Sequence, residues 1–107
     1  MDKINALNIA ISYLRRLREN NINFSDAWLF GSYAKGIQQV NSDIDLAIVL
    51  DDKEMSFDTE VQLMIMRNGE ETLIEPHPFT KDEFNKSLPI VNQIIKHGEK
   101  IEIEVKK

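Results

Sequence analysis

The chain has 107 residues, a length that fits one small domain, and we expect residues 1–107 to fold as a single unit. Charged residues make up 29% of it and hydrophobic residues 42%, which are ordinary globular values that exclude an intrinsically disordered chain. A net charge of −5 argues against a broad nucleic-acid-binding surface, because such surfaces neutralise phosphates with clustered Lys and Arg.

Other absences narrow the class of protein further. There is no cysteine, which excludes disulfides and thiolate metal sites. The first 20 residues contain several charged side chains and no long apolar core, which is unlike a signal peptide, and no run approaches membrane-spanning length. We therefore expect a cytoplasmic protein that does not bind membranes.

Residues 2–20 predict an amphipathic helix, because apolar side chains recur at spacings of three and four. Arg15, Arg16 and Arg18 lie largely off this apolar face. They are interpreted as a solvated surface, with contact to a partner as the alternative. The apolar positions are Ile4, Leu7, Ile11, Leu14 and Leu17.

A strand, a tight turn and a short helix are predicted next. The apolar run 27–30 stops abruptly at Gly31, and Ser32 to Lys35 follows as a short helix. Glycine lets the backbone approach a ligand closely, and the free N–H groups at a helix start favour anionic oxygens. The turn is therefore a candidate phosphate site, whereas Trp28 in the strand is expected to pack in the core.

The segment 42–50, SDIDLAIVL, predicts a second strand. Because strand side chains alternate between faces, Asp43 and Asp45 point the same way. Two such carboxylates are hard ligands that suit Mg²⁺. The alternative is that Asp43 caps a turn and Asp45 is a solvated strand end. The strand is expected to end at the surface over 51–53.

A helix is predicted from Asp58 to Arg67, with Gly69 as its stop. Val61, Met64 and Ile65 are expected to cover the sheet.

The third predicted strand is short, running from Thr72 to Glu75. Pro76 has no N–H to donate, so it is expected to end the strand and to leave the Glu75 carboxylate at the strand terminus. A solvated strand end is the alternative role for Glu75. His77, between two prolines, is expected to be a hydrogen-bonded loop histidine, with contact to a bound nucleotide or its acceptor as the alternative. A single histidine does not by itself indicate a metal site.

Three further elements complete the chain. Thr80 and Glu83 have the spacing of a capping box, which predicts a short helix, and Phe79 and Phe84 can pack as its hydrophobic staple. A helix with Ile90, Val91, Ile94 and Ile95 on its apolar face is predicted to begin at Pro89 and to end at Gly98. Residues 101–105 alternate apolar and acidic and predict a half-buried edge strand.

The glycine turn and the two aspartates resemble the signature of the minimal nucleotidyltransferase family, small members of the DNA polymerase beta-like nucleotidyltransferase superfamily. That signature is a Gly-Ser, a basic residue before Gly, and then Asp-x-Asp. The resemblance continues through the segment 74–79 to Gly98. It implies an α/β (α+β) nucleotidyltransferase fold with a small mixed β-sheet flanked by helices. The matching residues are Gly31, Ser32, Lys35, Gly36, Ser42, Asp43 and Asp45.

The resemblance also implies a reaction and roles for these residues. It implies transfer of a nucleoside monophosphate, with AMP from ATP favoured, to a hydroxyl acceptor with the help of two Mg²⁺ ions. Asp43 and Asp45 would bind the metals that bridge the triphosphate, and Glu75 would stand where the family usually has a third aspartate. Gly31 and Ser32 would contact the beta and gamma phosphates. Lys35 would offer a point charge to the phosphate tail, where the family often has the bidentate Arg.

Three functions remain open on this basis. The resemblance implies an antitoxin that transfers AMP to a helical HEPN-type toxin partner. The first alternative is a non-catalytic module of the same fold that regulates a partner by contact alone. The second is a small-molecule nucleotidyltransferase acting on an antibiotic-type hydroxyl, in which a homo-oligomer could complete the acceptor pocket.

Overall fold

A four-stranded mixed sheet lies at the centre of the computed structural model, which describes residues 1–51 and 56–103. A 3₁₀ helix, Gly69–Leu73, directly precedes the third strand. The helices and strands in chain order are α1 Lys3–Glu19, β1 Phe24–Phe30, α2 Ser32–Lys35, β2 Ile44–Leu50, α3 Phe57–Ile65, β3 Ile74–Thr80, α4 Pro89–His97 and β4 Glu99–Lys100.

The strands are ordered β3-β2-β1-β4 across the sheet. β1 is antiparallel to both β2 and β4, whereas β2 and β3 are parallel, and α3 lies between them in the chain. This mixed sheet with helices confirms the expected fold class. Among the described residues, no helix has the length and apolar character that crossing a membrane requires.

α1 packs on one face of the sheet, as its apolar periodicity predicts. Its buried face is rotated from the expected one, however, because Ile4 is 69% exposed while Ala6 and Ala10 are fully buried. Small side chains at these two positions let the helix approach the sheet closely. The same core receives the alternate residues Ile44, Leu46, Ile48 and Leu50 of β2.

The opposite face of the sheet is also covered. Ala47 and Val49 point to this face and are buried, and α4 contacts the sheet at β1. Trp28 is half-buried there, with its ring 6.2 Å from that of Phe84, so it packs on this face and lies outside the main core, where it was expected. α4 has the predicted bounds, with Val91 and Ile94 buried and Ile90 half exposed.

β3 is longer than predicted. It continues through Pro76 and Pro78 to Thr80, so Glu75 is its second residue and not its last. The prediction was wrong because β3 pairs only with β2 among the described residues and is therefore an edge strand of their sheet. Alternate residues of an edge strand need no ladder donor, and the two prolines occupy such positions.

The segment after β3 differs from its prediction in a second way. The reciprocal bonds of the capping box form, with Thr80 N donating to Glu83 Oε1 at 2.9 Å and Glu83 N donating to Thr80 Oγ1 at 3.1 Å. The rings of Phe79 and Phe84 also meet, at 5.5 Å. Nevertheless residues 81–84 form a turn, because the Asn85 side chain accepts a hydrogen bond from Ser87 N and competes with a helix.

α3 also departs from its predicted bounds and packing. It ends at Ile65, and Gly69 begins the 3₁₀ helix instead of stopping α3. Arg67 stabilises the segment after α3 by donating hydrogen bonds to the carbonyls of Met64, Thr72 and Ile74. The residues expected to cover the sheet face outward, since Thr59 and Leu63 form the buried side; Val61, Met64 and Ile65 are 39%, 46% and 71% exposed.

The last predicted strand is displaced toward the N-terminus. β4 comprises only Glu99 and Lys100, and the buried Ile101 follows it, donating its N–H to the carbonyl of Ala27 at 2.8 Å. The predicted residues 104 and 105 lie outside the described residues, as do 52 and 53 at the predicted end of β2.

A largely buried ion pair joins α1 to the 3₁₀ helix. Arg16 donates to the carboxylate of Glu71, which is 6% exposed and also accepts from Ser12 Oγ at 3.2 Å and from Asn68 N at 3.0 Å. Burial alone would raise the pKa of Glu71, but these hydrogen bonds and the charge of Arg16 outweigh it and hold the pKa below its usual value of 4.5. Arg16 is thus a structural residue that fixes the chain just before β3, and the prediction of a solvated or partner-binding side chain was wrong.

We expect Glu71→Gln to lower the free energy of unfolding by about 1–3 kcal/mol at neutral pH, because it leaves the Arg16 guanidinium without its charged acceptor. The folded-state pKa of Glu71 is depressed, so the stabilisation is full above pH 4.5 and is lost as the pH falls through the folded-state pKa. Urea unfolding at pH 7 and below pH 4 measures both effects. Glu70→Gln, at an exposed neighbour, is the control; equal losses in the two variants would contradict the assignment.

Candidate functional site

Three side chains that can bind a metal ion meet on the face of the sheet opposite α1. Asp45 of β2 pairs with Glu75 of the parallel strand β3, and His77 pairs with Ala47. Directly paired residues point to the same face, so Asp45, Glu75 and His77 project together. One ligand atom from each lies within 4.8 Å of the others.

His77 contacts both acidic members of this cluster. Its Nε2 lies 3.2 Å from Asp45 Oδ1 and 4.0 Å from Glu75 Oε1. An ionised carboxylate only accepts hydrogen bonds, so Nε2 is the donor toward Asp45. The ring of Phe30 meets the imidazole edge to face at 4.9 Å and restricts its orientation.

His77 lies in a strand and not in a loop, so the predicted placement is wrong. His77 is the fourth residue of β3. The alternation of strand side chains would have placed Glu75 and His77 on one face, had the strand been extended through Pro76 and Pro78. The prolines concealed this signal because they appeared to end the strand.

Gly31 lies against the Asp45 carboxylate. It follows β1, has φ of +75°, and a Cβ built on it would overlap Asp45 Oδ2 and lie 3.1 Å from Cγ. Glycine is therefore required for two reasons. It allows a backbone conformation that L-residues rarely adopt, and it leaves room for the Asp45 carboxylate. The turn that the sequence singles out is thus in contact with the acidic cluster.

The other predicted site residues are not part of this contact between Gly31 and Asp45. Ser32 is half-buried at the first position of α2, and Lys35 is exposed at the end of that helix. Ser42 stabilises the turn before β2, where its Oγ accepts from Gln39 N at 2.8 Å. Asp43 follows as an exposed residue outside the cluster found among the described residues, so only Asp45 of the predicted aspartate pair is brought to Glu75.

The donor atoms and their exposure fit a divalent cation. Two carboxylates supply hard oxygen ligands, and the imidazole adds a nitrogen. The side chains of Asp45, His77 and Glu75 are 26%, 34% and 54% exposed, so an ion has access from solvent. A pair of carboxylates close together is also a site where a cation relieves like-charge repulsion.

A mixed sheet that carries a glycine turn against an acidic cluster is the arrangement expected of a nucleotidyltransferase domain. The sequence profile of the family described as "Polymerase beta, Nucleotidyltransferase" matches residues 12–104. The chain belongs to this family. No match was found among curated proteins.

Two solved structures share the fold. One is a candidate nucleotidyltransferase from Sulfolobus solfataricus, with 23% identity and a TM-score of 0.61 over 76% of this chain and 72% of the other. The second is a variant of the toxin–antitoxin pair MntA–HepT in which two aspartates, two positions apart, are replaced by glutamate. It is 17% identical, with a TM-score of 0.56 over 94% of this chain and 72% of the other.

We expect Gly31→Ala to lose more stability than Gly36→Ala, although both glycines have positive φ. Gly36 has open space around it, so its substitution should cost about 1–2 kcal/mol from backbone strain alone. At Gly31 the backbone conformation is rarer and a Cβ would overlap Asp45, so we expect a further loss of about 1–3 kcal/mol in the free energy of unfolding. Urea midpoints at constant m-value measure the difference.

The same substitution in an Asp45→Ala chain separates the two causes of the stability loss at Gly31. If the carboxylate overlap contributes, Gly31→Ala should cost less in an Asp45→Ala chain than in the wild type, because the two residues are in contact. The same loss in both backgrounds would show that Asp45 simply rotates away from the new methyl group.

Proposed function

We propose that this chain is a divalent-metal-dependent nucleotidyltransferase that transfers AMP from ATP to a hydroxyl of an HEPN-type partner protein, and thereby acts as an antitoxin. The observation that carries the proposal is the contact between the Gly31 turn and the cluster of Asp45 and Glu75. This contact supports the proposal, because the backbone at a glycine can approach phosphates closely and the two carboxylates offer oxygen ligands to a cation. Family membership supports a transferase in general, and the nucleotide and acceptor are the proposed part.

In the proposed reaction, the acceptor oxygen forms a bond to the alpha phosphorus of the triphosphate. The bond between that phosphorus and the oxygen bridging it to the beta phosphorus breaks, so pyrophosphate leaves, and the hydroxyl proton is released to solvent. Asp43, Asp45 and Glu75 would hold up to two Mg²⁺ ions, which when bound neutralise charge on the phosphate oxygens. Gly31 and Ser32 would bind the beta and gamma phosphates through the backbone and hydroxyl. Lys35, exposed at the end of α2, would contact the phosphate tail as a point charge.

The different exposures of the two clustered carboxylates suggest different roles. Asp45 is the less exposed and lies against Gly31, so it would face the triphosphate. Glu75 is 54% exposed on an edge strand, where an incoming protein hydroxyl has access. Glu75 would therefore serve the acceptor side by positioning the attacking oxygen.

The partner assignment is supported by the fold shared with MntA–HepT over 94% of this chain. The two substituted aspartates of that variant are two positions apart, which is also the spacing of Asp43 and Asp45. We therefore propose that the acceptor hydroxyl lies on a toxin partner.

The test incubates the protein with Mg²⁺, one labelled nucleoside triphosphate at a time, and the purified product of the adjacent gene. We expect label from ATP on the partner protein, and EDTA should abolish it. Inhibition of the partner without label would instead support the contact-only module. Label appearing only on added small hydroxyl compounds would support the small-molecule transferase.

We expect Glu75→Gln to slow label transfer far more than it weakens triphosphate binding, because its contribution develops with the attacking oxygen. Single-turnover transfer and calorimetric ATP affinity, measured with the same metal, separate the two effects. Glu60→Gln, at an exposed position of α3, controls for the loss of one charge. Equal losses of rate and affinity, or wild-type turnover, would reject the acceptor-side role.

A further inference from the structure

We propose that His77 is a third ligand, through Nε2, to the cation held by Asp45 and Glu75, and that this site prefers a first-row transition ion such as Mn²⁺ to Mg²⁺. The inference deepens the proposed function and rests on it in one respect, since the same site would hold the ion used in transfer. It differs from the family resemblance, which implies an all-carboxylate magnesium site.

The spacing of the three donors carries the inference. Ligands about 2.1 Å from one ion lie about 3.0 Å apart when they subtend a right angle and about 4.2 Å apart when they are opposite. The Nε2 to Asp45 Oδ1 distance is 3.2 Å, the Nε2 to Glu75 Oε1 distance is 4.0 Å, and all three donors lie within 4.8 Å. Small side-chain rotations would bring them to a common ion.

The alternative interpretation is that His77 only donates a hydrogen bond to Asp45. Against it, Nε2 faces two carboxylates, from paired positions of two strands. Phe30 packs against the ring and keeps the nitrogen directed at the cluster. Ligation requires the lone pair of Nε2, so the bound ring would carry its proton on Nδ1, which makes the two interpretations spectroscopically distinct.

The chemistry of the donor set favours a transition ion. Mg²⁺ is bound mostly by oxygen, keeps several waters and gains little from imidazole. Imidazole suits Zn²⁺ and other first-row ions, and an O,O,N set combines it with the carboxylates that suit Mn²⁺. A single nitrogen ligand would thus change the preferred ion from Mg²⁺ to a first-row transition ion within the same fold.

Nitrogen NMR of the full-length wild-type chain tests ligation directly. The chain has two histidines, and His97, exposed at the end of α4, serves as an internal control. On titration with diamagnetic Zn²⁺, we expect the Nε2 resonance of His77 to move to the metal-bound position at one equivalent, with Nδ1 protonated. His97 should shift only in excess zinc. A His77 ring that keeps its proton on Nε2, or that shifts no earlier than His97, would overturn the proposal.

Calorimetry on variants tests the preference, without nucleotide and without any assay of activity. We expect His77→Gln to lower Mn²⁺ affinity by at least the 10–100-fold that removal of an outer-shell partner costs, and to lower Mg²⁺ affinity by less than about threefold. His97→Gln should leave both unchanged. Equal losses for both ions, or no measurable Mn²⁺ binding in the wild type, would reject the inference.

The outcome is separable from that of the proposed function. Zinc-bound His77 in a chain that labels no acceptor would support the ligand and reject the transferase. Transfer that proceeds equally in Mg²⁺ and Mn²⁺, and that His77→Gln does not alter, would support the transferase and reject the ligand.

Discussion

The parallel pairing of β2 with β3 brings the side chains of the candidate metal site together. It sets Asp45 opposite Glu75 and brings His77 beside both. Because strand side chains alternate with a period of two, a slip of one residue would send all of β3's site residues to the α1 face of the sheet. The register is held from outside the site, by Arg67 bonded to the Ile74 carbonyl and by Arg16 bonded to Glu71 just before the strand.

Much of this arrangement could be predicted from local pattern. The apolar run ending at Gly31 specified a strand and a tight turn, and the alternation after Asp43 specified which side chains of β2 face the core. Both signals are local, since one depends on backbone freedom at a single residue and the other on strand periodicity. The family signature added the nucleotidyltransferase fold, which the sheet and the family profile confirm. All the predicted roles in nucleotide binding, metal binding and catalysis stay predictions; they concern Gly31, Ser32, Lys35, Asp43, Asp45 and Glu75.

What could not be predicted depends on position in the sheet. Pro76 and Pro78 are acceptable only because β3 is an edge strand, and strand order is a long-range property that no segment of sequence carries. Because β3 was predicted to end at Glu75, the position of His77 beside the carboxylates was not predicted either. The outward face of α3 was missed for a similar reason, because the orientation of this helix depends on distant contacts such as the hydrogen bond that the Tyr13 hydroxyl, 50 residues away in the chain, donates to the backbone carbonyl of Leu63. Helix periodicity identifies an apolar stripe but does not say which side another element will cover.

The prolines of β3 also govern what can associate with this edge of the sheet. An open edge strand normally presents a row of free N–H groups on which another chain can add a strand, and this is a common route to aggregation. Pro76 and Pro78 remove donors from the outward side, so β3 is a poor template for strand addition while its side chains stay accessible. The strand that carries Glu75 and His77 can therefore lie at the margin of the domain, open to a large acceptor, without extending the sheet into a second molecule.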